Sequence, residues 1–154
     1  MKITLRAAGL IKFGPERELI DDYLKRANAL SRNLGIKDIT ESVVDTRRAK
    51  SRAAETETIL SIPTDILVVL DERGTTLTSR QIAKQIAHWR DDGRQTLTLA
   101  IGGADGFDPN ALPPHAVKWS FGKQTWPHKL VRVMLAEQIY RALSILAATP
   151  YHRD

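Results

Sequence analysis

The chain has 154 residues, of which 42% are hydrophobic and 27% charged, a size and composition that suit one domain able to bury a core. The absence of cysteine excludes disulfide bonds, thiolate metal sites and cysteine nucleophiles. With 23 Lys and Arg against 18 Asp and Glu, the net charge of +5 is compatible with a polyanionic partner but does not identify one.

Strand-like and helix-like stretches alternate in the first half of the chain. Lys2–Ala8 predicts a strand, and the N-terminus lacks the long apolar segment of a signal peptide. A helix is predicted to begin at Pro15 and to be closed by Gly35, followed by a strand over residues 36–44 and a helix over residues 48–62. No apolar run reaches membrane length, so we expect a cytoplasmic protein with no membrane partner.

The second half continues the alternation. It predicts buried strands over residues 66–70, 96–101 and 117–121, and helices over residues 79–91 and from Pro127 to about Ala147. Strands that alternate with helices are typical of an α/β protein. The sequence therefore predicts one domain over residues 1–154, with a mostly parallel sheet covered by helices on both faces.

Three predicted strand ends carry unusual loops, over residues 70–74, 101–107 and 120–128. Ligands of open parallel sheets bind at the carboxyl ends of the strands. Gly102, Gly103 and Gly106 would let the backbone approach a ligand closely, although they form neither a P-loop nor a complete dinucleotide fingerprint, and a plain turn is the alternative. Phe121 and Trp126 are either apolar walls that suit a purine or ordinary core residues.

Several motifs occur in a fixed order along the chain. They are Leu70-Asp71-Glu72-x-Gly74, Ile101-Gly102-Gly103-x-x-Gly106, Thr125-x-Pro127-His128-x-Leu130-x-Arg132-Val133, Glu137-Gln138-x-Tyr140-Arg141-Ala142 and Pro150-Tyr151-His152-Arg153. In order, spacing and total length the chain resembles the ribosomal RNA large subunit methyltransferase H family of the SPOUT superfamily. The resemblance covers essentially the whole chain and is strongest in its last third.

The resemblance implies a methyltransferase that modifies N3 of a pseudouridine in bacterial 23S ribosomal RNA with S-adenosylmethionine. It also implies a C-terminal trefoil knot and a homodimer in which two subunits complete each other's site. By motif position, the cofactor contacts would be Leu70, Gly102, Phe121, Gly122, Lys123, Gln124, Thr125 and Trp126. Gly122 departs from the family pattern, which more commonly has serine there.

The proposed chemistry indicates which side chains to look for. N3 of a uracil-like ring is weakly acidic and must lose its proton, so a nearby cation and a proton-accepting histidine would both help. We predict Tyr151, His152 and Arg153 as the catalytic residues, and a frayed, solvated tail is the alternative. His128 is a second candidate base that we interpret rather as a capping residue of the last helix.

Two further patterns concern partners. Apolar residues cover most of the circumference of the last helix, which predicts burial against its own sheet and against a second subunit. Arg47, Arg48, Lys50 and Arg52 stand at the start of a predicted helix, where the helix dipole disfavours cations. These cations therefore indicate phosphate contacts with RNA, or else a solvated face offset by nearby glutamates.

Two other classes of function compete with the methyltransferase. One is a non-catalytic RNA-binding protein of the same fold. The other is a nucleotide-binding or hydrolytic α/β enzyme, against which stand the missing P-loop, the missing Gly-x-Ser-x-Gly motif and the lack of a carboxylate cluster for a metal. We therefore expect no metal site.

Overall fold

The computed structural model describes residues 1–153. Its strands are β1 (Lys2–Ala8), β2 (Asp38–Val44), β3 (Ile66–Thr76), β4 (Thr96–Ile101) and β5 (Val117–Ser120). Its helices of more than three residues are α1 (Pro15–Ser31), α2 (Arg52–Leu60), α3 (Ser79–Asp91) and α4 (His128–Leu146). None of the helices in residues 1–153 combines the length and apolar character that crossing a bilayer requires.

The strands form one sheet in the order β2-β1-β4-β3-β5, and every recorded pairing is parallel. Ile3 in β1 pairs with Ile39 on one side and with Leu97 on the other. Because the strands are parallel, their carboxyl ends meet at one edge of the sheet. The predicted parallel α/β fold is confirmed.

Helices cover both faces of the sheet. Val68 belongs to the larger apolar cluster, which also contains buried residues of α1, α3 and α4. Its neighbours Leu67 and Val69 point to the opposite face and belong to a second cluster with Ile59 of α2 and Phe107. This alternation is the two-residue period of a strand buried on both sides.

The helix boundaries show what local sequence signals decide. Gly35 adopts φ +69° after a 3-10 turn that follows α1, as the predicted closure requires. A capping box between Thr78 and Gln81 fixes the start of α3. The prediction for α2 is wrong by four residues at its start, because the Ser51 hydroxyl accepts a hydrogen bond from the Ala54 amide and caps the helix there.

β3 extends further than its apolar run. The sequence predicts a strand that ends at Leu70, yet both Leu70 and Thr75 pair with Trp119 of β5, and residues 71–74 between them form an irregularity. At Gly74 an added Cβ would lie 2.7 Å from the backbone carbonyl carbons of Lys118 and Trp119. The chain passes so close to β5 that only glycine fits, a contact that no periodicity could indicate.

A buried arginine joins α4 to the end of β1 and to the middle of β2. Arg132 is 1% exposed, and its two terminal nitrogens donate to the carbonyls of Ala8 (2.6 Å) and Gly9 (2.9 Å). It also lies 3.1 Å from the carboxylate of Glu41, which pairs with Arg17 at 2.6 Å. Burial lowers the pKa of the Arg132 guanidinium, and these oxygen partners stabilise its charged form.

Candidate functional site

A cavity of about 310 Å³ opens at the carboxyl edge of the sheet. Three segments that are distant in sequence build most of its wall, namely residues 70–73 within β3, residues 101–107 at and after the end of β4, and residues 119–122 and 124–126 at and after β5. Arg52 of α2 and His128 and Val131 of α4 complete it. The volume is within the range of pockets that enclose small-molecule ligands.

Seven of the eight residues predicted to contact the cofactor line this cavity: Leu70, Gly102, Phe121, Gly122, Gln124, Thr125 and Trp126. Lys123 lies in the same segment with an exposed side chain, but is not part of the cavity wall. The fold thus collects the three predicted loops around one space. The alternative prediction is that Phe121 and Trp126 are ordinary core residues. It is wrong for Trp126, which is 42% exposed.

The glycine-rich turn after β4 is compact. The Gly106 amide donates to the Gly103 carbonyl at 3.0 Å, and Gly106 adopts φ +68°. A Cβ at Gly102 would lie 2.9 Å from the carbonyl carbon of Gly106, so the backbone at Gly102 has room only for hydrogen. The turn therefore presents main-chain surface to the cavity, as the sequence predicts.

The first two turns of α2 support this glycine-rich turn directly. Arg52 donates through Nε to the Gly106 carbonyl at 3.3 Å, and the Glu55 carboxylate packs directly against Gly103. The Thr56 hydroxyl accepts from the Asp108 amide at 2.9 Å. Sequence reasoning missed Glu55 and Thr56, because residues about fifty positions apart carry no local sign of their contact.

The turn between β5 and α4 is organised by Ser120. Its hydroxyl donates to the Gly122 carbonyl at 3.0 Å, and its oxygen accepts from the Gly122 amide at 3.2 Å. Gly122 adopts φ +114°, a conformation that side-chain-bearing residues rarely adopt. Where the resemblance leads one to expect serine, this chain has Gly122. The hydroxyl of Ser120, two residues earlier, is bonded to the backbone of Gly122.

Charged groups surround the mouth of the cavity. Asp71 accepts two hydrogen bonds from the Arg73 guanidinium, at 2.8 and 2.9 Å, and these bonds lower the pKa of the Asp71 carboxyl. His128 is exposed on the cavity wall, and the start of α4 has no side-chain capping hydrogen bond. The capping interpretation of His128 is therefore wrong.

The predicted catalytic residues lie elsewhere in their own chain. Tyr151 and His152 are half-buried against α4, and Arg153 is exposed. The Tyr151 hydroxyl donates to Glu137 at 2.9 Å, so the alternative of a frayed tail is wrong for Tyr151. Within residues 1–153, none of these three side chains lines the 310 Å³ cavity.

The residues of α4 that contact the tail line a second cavity instead. Glu137 and Arg141 line a cavity of about 480 Å³, together with residues of α1, α3 and the end of β3. Ser120 and Phe121 line both cavities. In a single chain, the tail therefore contacts residues of the second cavity, whereas the predicted cofactor residues line the first.

The chain is similar to known proteins over nearly its whole length. A family profile described as "Predicted SPOUT methyltransferase" matches residues 1–152. Three curated proteins named ribosomal RNA large subunit methyltransferase H align over nearly their full lengths. That of Maricaulis maris is 52% identical and covers 100% of both chains. Those of Cereibacter sphaeroides and Hyphomonas neptunium are 48% and 44% identical, each over 99% of both chains.

Proposed function

Because this chain belongs to the SPOUT methyltransferase family, we propose that it transfers a methyl group from S-adenosylmethionine to RNA of the large ribosomal subunit. The observation that carries the proposal is the cavity at the carboxyl edge, where seven predicted cofactor residues converge from three loops. Curated proteins named ribosomal RNA large subunit methyltransferase H align with it over 99% or more of both chains.

The residues around the cavity fit the chemistry of a sulfonium nucleoside. Phe121 and Trp126 offer apolar surfaces to an adenine ring, while the turn at Gly102 offers main-chain groups to its heteroatoms. Glu72 adds negative charge that suits a cationic ligand, whereas the Asp71 carboxylate is already paired with Arg73. When bound, S-adenosylmethionine supplies an electrophilic methyl group.

The proposed target atom is N3 of a pseudouridine in 23S ribosomal RNA, and the tail carries groups suited to it. Arg153 provides a positive charge that would favour the imide anion, and His152 provides a nitrogen that can accept the N3 proton. The Tyr151 ring offers a surface for a base to stack on. We assign catalysis to these three residues together.

The separation of tail and cavity supports a site shared between two subunits. In one chain, the tail packs beside Glu137 while the cofactor residues line a different cavity. We propose that the tail of one subunit reaches the cavity of the other in a homodimer, and that the C-terminal segment is knotted. This arrangement would bring the catalytic residues of the tail to the methyl donor in the cavity, while the tail stays packed on its own α4.

Cations near the cavity would hold the RNA backbone. Arg52 stands on the cavity wall itself, and Arg48 and Lys50 are exposed just before it. Arg47 is paired with Asp45 at 2.6 Å and is the weaker candidate of the four. An RNA substrate of the ribosome fits a protein of the cytoplasm, which we propose as its location.

Labelled methyl transfer tests the proposal. Ribosomal particles from a strain that lacks the enzyme should accept labelled methyl groups from the purified protein, and mapping should locate the label at one pseudouridine. A Gly102→Val variant is the matched control, because its side chain would collide with the backbone at Gly106 and should abolish cofactor binding. Binding of ribosomal RNA without cofactor binding or transfer would instead identify a non-catalytic RNA-binding protein.

A further inference from the structure

The carboxylate of Glu137 is the centre of the contacts between α4 and the C-terminal tail. Its Oε1 accepts hydrogen bonds from Nε and Nη2 of Arg141, at 2.8 and 2.5 Å, and from the hydroxyl of Tyr151 at 2.9 Å. Its Oε2 accepts from the side chain of Gln138 at 2.8 Å. With only 16% of the Glu137 side chain exposed, these charge-assisted bonds are partly shielded from water.

Arg141 extends the same arrangement to the next residue of the tail. Its Nη1 lies 3.3 Å from Nδ1 of His152, and its guanidinium carbon lies 4.7 Å from the centre of the Tyr151 ring. The Tyr151 ring in turn packs on Tyr140, with the ring centres 4.5 Å apart. The orientation of both tail residues therefore depends on a guanidinium that Glu137 holds in place.

We infer that Glu137 is a positioning residue for the methyl transfer, which orients Tyr151 directly and His152 through Arg141. The inference rests on the proposed function, because a tail that takes part in methyl transfer must be held in place, whereas most chain ends are poorly ordered. The geometry assigns this role to Glu137 because both Tyr151 and Arg141 contact its carboxylate. Glu137 itself does not line the cofactor cavity.

The arrangement also defines the protonation state of Tyr151. Burial and the hydrogen bond to Glu137 together raise the pKa of the Tyr151 phenol. The phenol is therefore neutral near pH 7, and its proton points at Glu137. A neutral phenol that donates its proton to Glu137 does not accept the N3 proton.

A Glu137→Gln variant tests this role. The amide keeps the shape and can still accept from Tyr151, but it loses the ion pair with Arg141. We expect kcat for methyl transfer to fall by about tenfold or more, while the affinity for S-adenosylmethionine stays within about twofold of the wild type. Glu57→Gln on the exposed side of α2 makes the same charge change and should leave both unchanged. Wild-type turnover in Glu137→Gln would overturn the inference.

Two measurements test the tail without an activity assay. In Glu137→Gln, carboxypeptidase should release His152 and Tyr151 faster than from the wild type, and ultraviolet titration should show one tyrosine ionising at lower pH. Tyr151→Phe provides a second variant that removes only the hydroxyl, and it should also speed the release. Equal release rates in all proteins, or an unchanged titration, would refute the role of Glu137.

These measurements also separate two kinds of failure. If the wild type transfers no methyl group to ribosomal particles, the proposed function fails. The release rates and the tyrosine titration still decide in that case whether Glu137 orders the tail. If the wild type is active and the tail of Glu137→Gln is as protected as before, the inference alone fails.

Discussion

Gly74 shows how one residue without a side chain shapes the cofactor cavity. Its Cα lies so close to β5 that a Cβ would meet backbone carbons of Lys118 and Trp119 at 2.7 Å, and backbone atoms cannot turn away as a flexible side chain can. We expect Gly74→Ala to lower the free energy of unfolding by about 3 kcal/mol, the upper end of the usual cost of overpacking. Because residues 70–73 line the cavity, calorimetry should also detect a loss of affinity for S-adenosylmethionine.

Gly93 provides the matched control for Gly74. It has φ +78° at the end of α3, and nothing lies within 4 Å of the position of its Cβ. Gly93→Ala should therefore cost only the backbone strain, about 1 kcal/mol, and should leave cofactor affinity unchanged. Equal unfolding free energies for the two variants would contradict the close contact between β3 and β5.

Arg132 carries a different kind of residue-level prediction. Replacing it by methionine keeps an apolar chain of similar length but removes the donors to the carbonyls of Ala8 and Gly9 and one partner of Glu41. We expect a loss of about 3 kcal/mol in the free energy of unfolding, measured by urea denaturation. Arg94→Met, at an exposed position, should leave the unfolding midpoint near that of the wild type. Similar midpoints for the two variants would show that the buried network contributes little.

At the scale of elements, the tail and α4 act as a pair. The tail is held by α4 of its own chain and does not line the cofactor cavity of that chain. Deletion of residues 151–154, of which Asp154 lies outside the described residues, should abolish methyl transfer. The cofactor affinity of the deletion variant, measured by calorimetry, should stay within about twofold of the wild type, because the loops around the cavity are intact. Methyl transfer at the wild-type rate by the shortened chain would show that catalysis resides elsewhere.

At the scale of the whole molecule, α4 leaves apolar surface uncovered. Leu130 is 41% exposed at the start of α4, and Met134 follows one turn later. Leu19 of α1, which lines the same 480 Å³ cavity as Met134, is 44% exposed. We expect this surface to be covered by a second subunit, so light scattering at micromolar concentration should give twice the mass of one chain.

Substitution on that surface makes the dimer prediction specific. Leu130→Glu should shift the mass toward one chain and reduce methyl transfer at the same time, since the proposed site needs both subunits. Val43→Glu, on the edge strand β2, changes an apolar side chain that is 38% exposed and should leave the mass unchanged. A dimeric Leu130→Glu variant would contradict an interface through α4.

The order of strands and helices follows from the sequence by itself, because each element carries its own local signal. The apolar run at residues 66–70, the closure at Gly35 and the period of α3 are readable one segment at a time. The motifs that resemble the methyltransferase family are local as well. The three loops that line the cavity could therefore be named before their arrangement was known.

Only the tertiary structure decided which distant groups meet. Several contacts join segments that no sequence periodicity relates. They are the close approach of Gly74 to β5, the contact of Glu55 with Gly103 and the burial of Arg132 against β1 and β2. The hydrogen bond from Tyr151 to Glu137 likewise forms only because the chain turns back along α4 after that helix ends. Local patterns record the preferences of neighbouring residues, whereas these contacts depend on how the sheet and its helices pack as a whole.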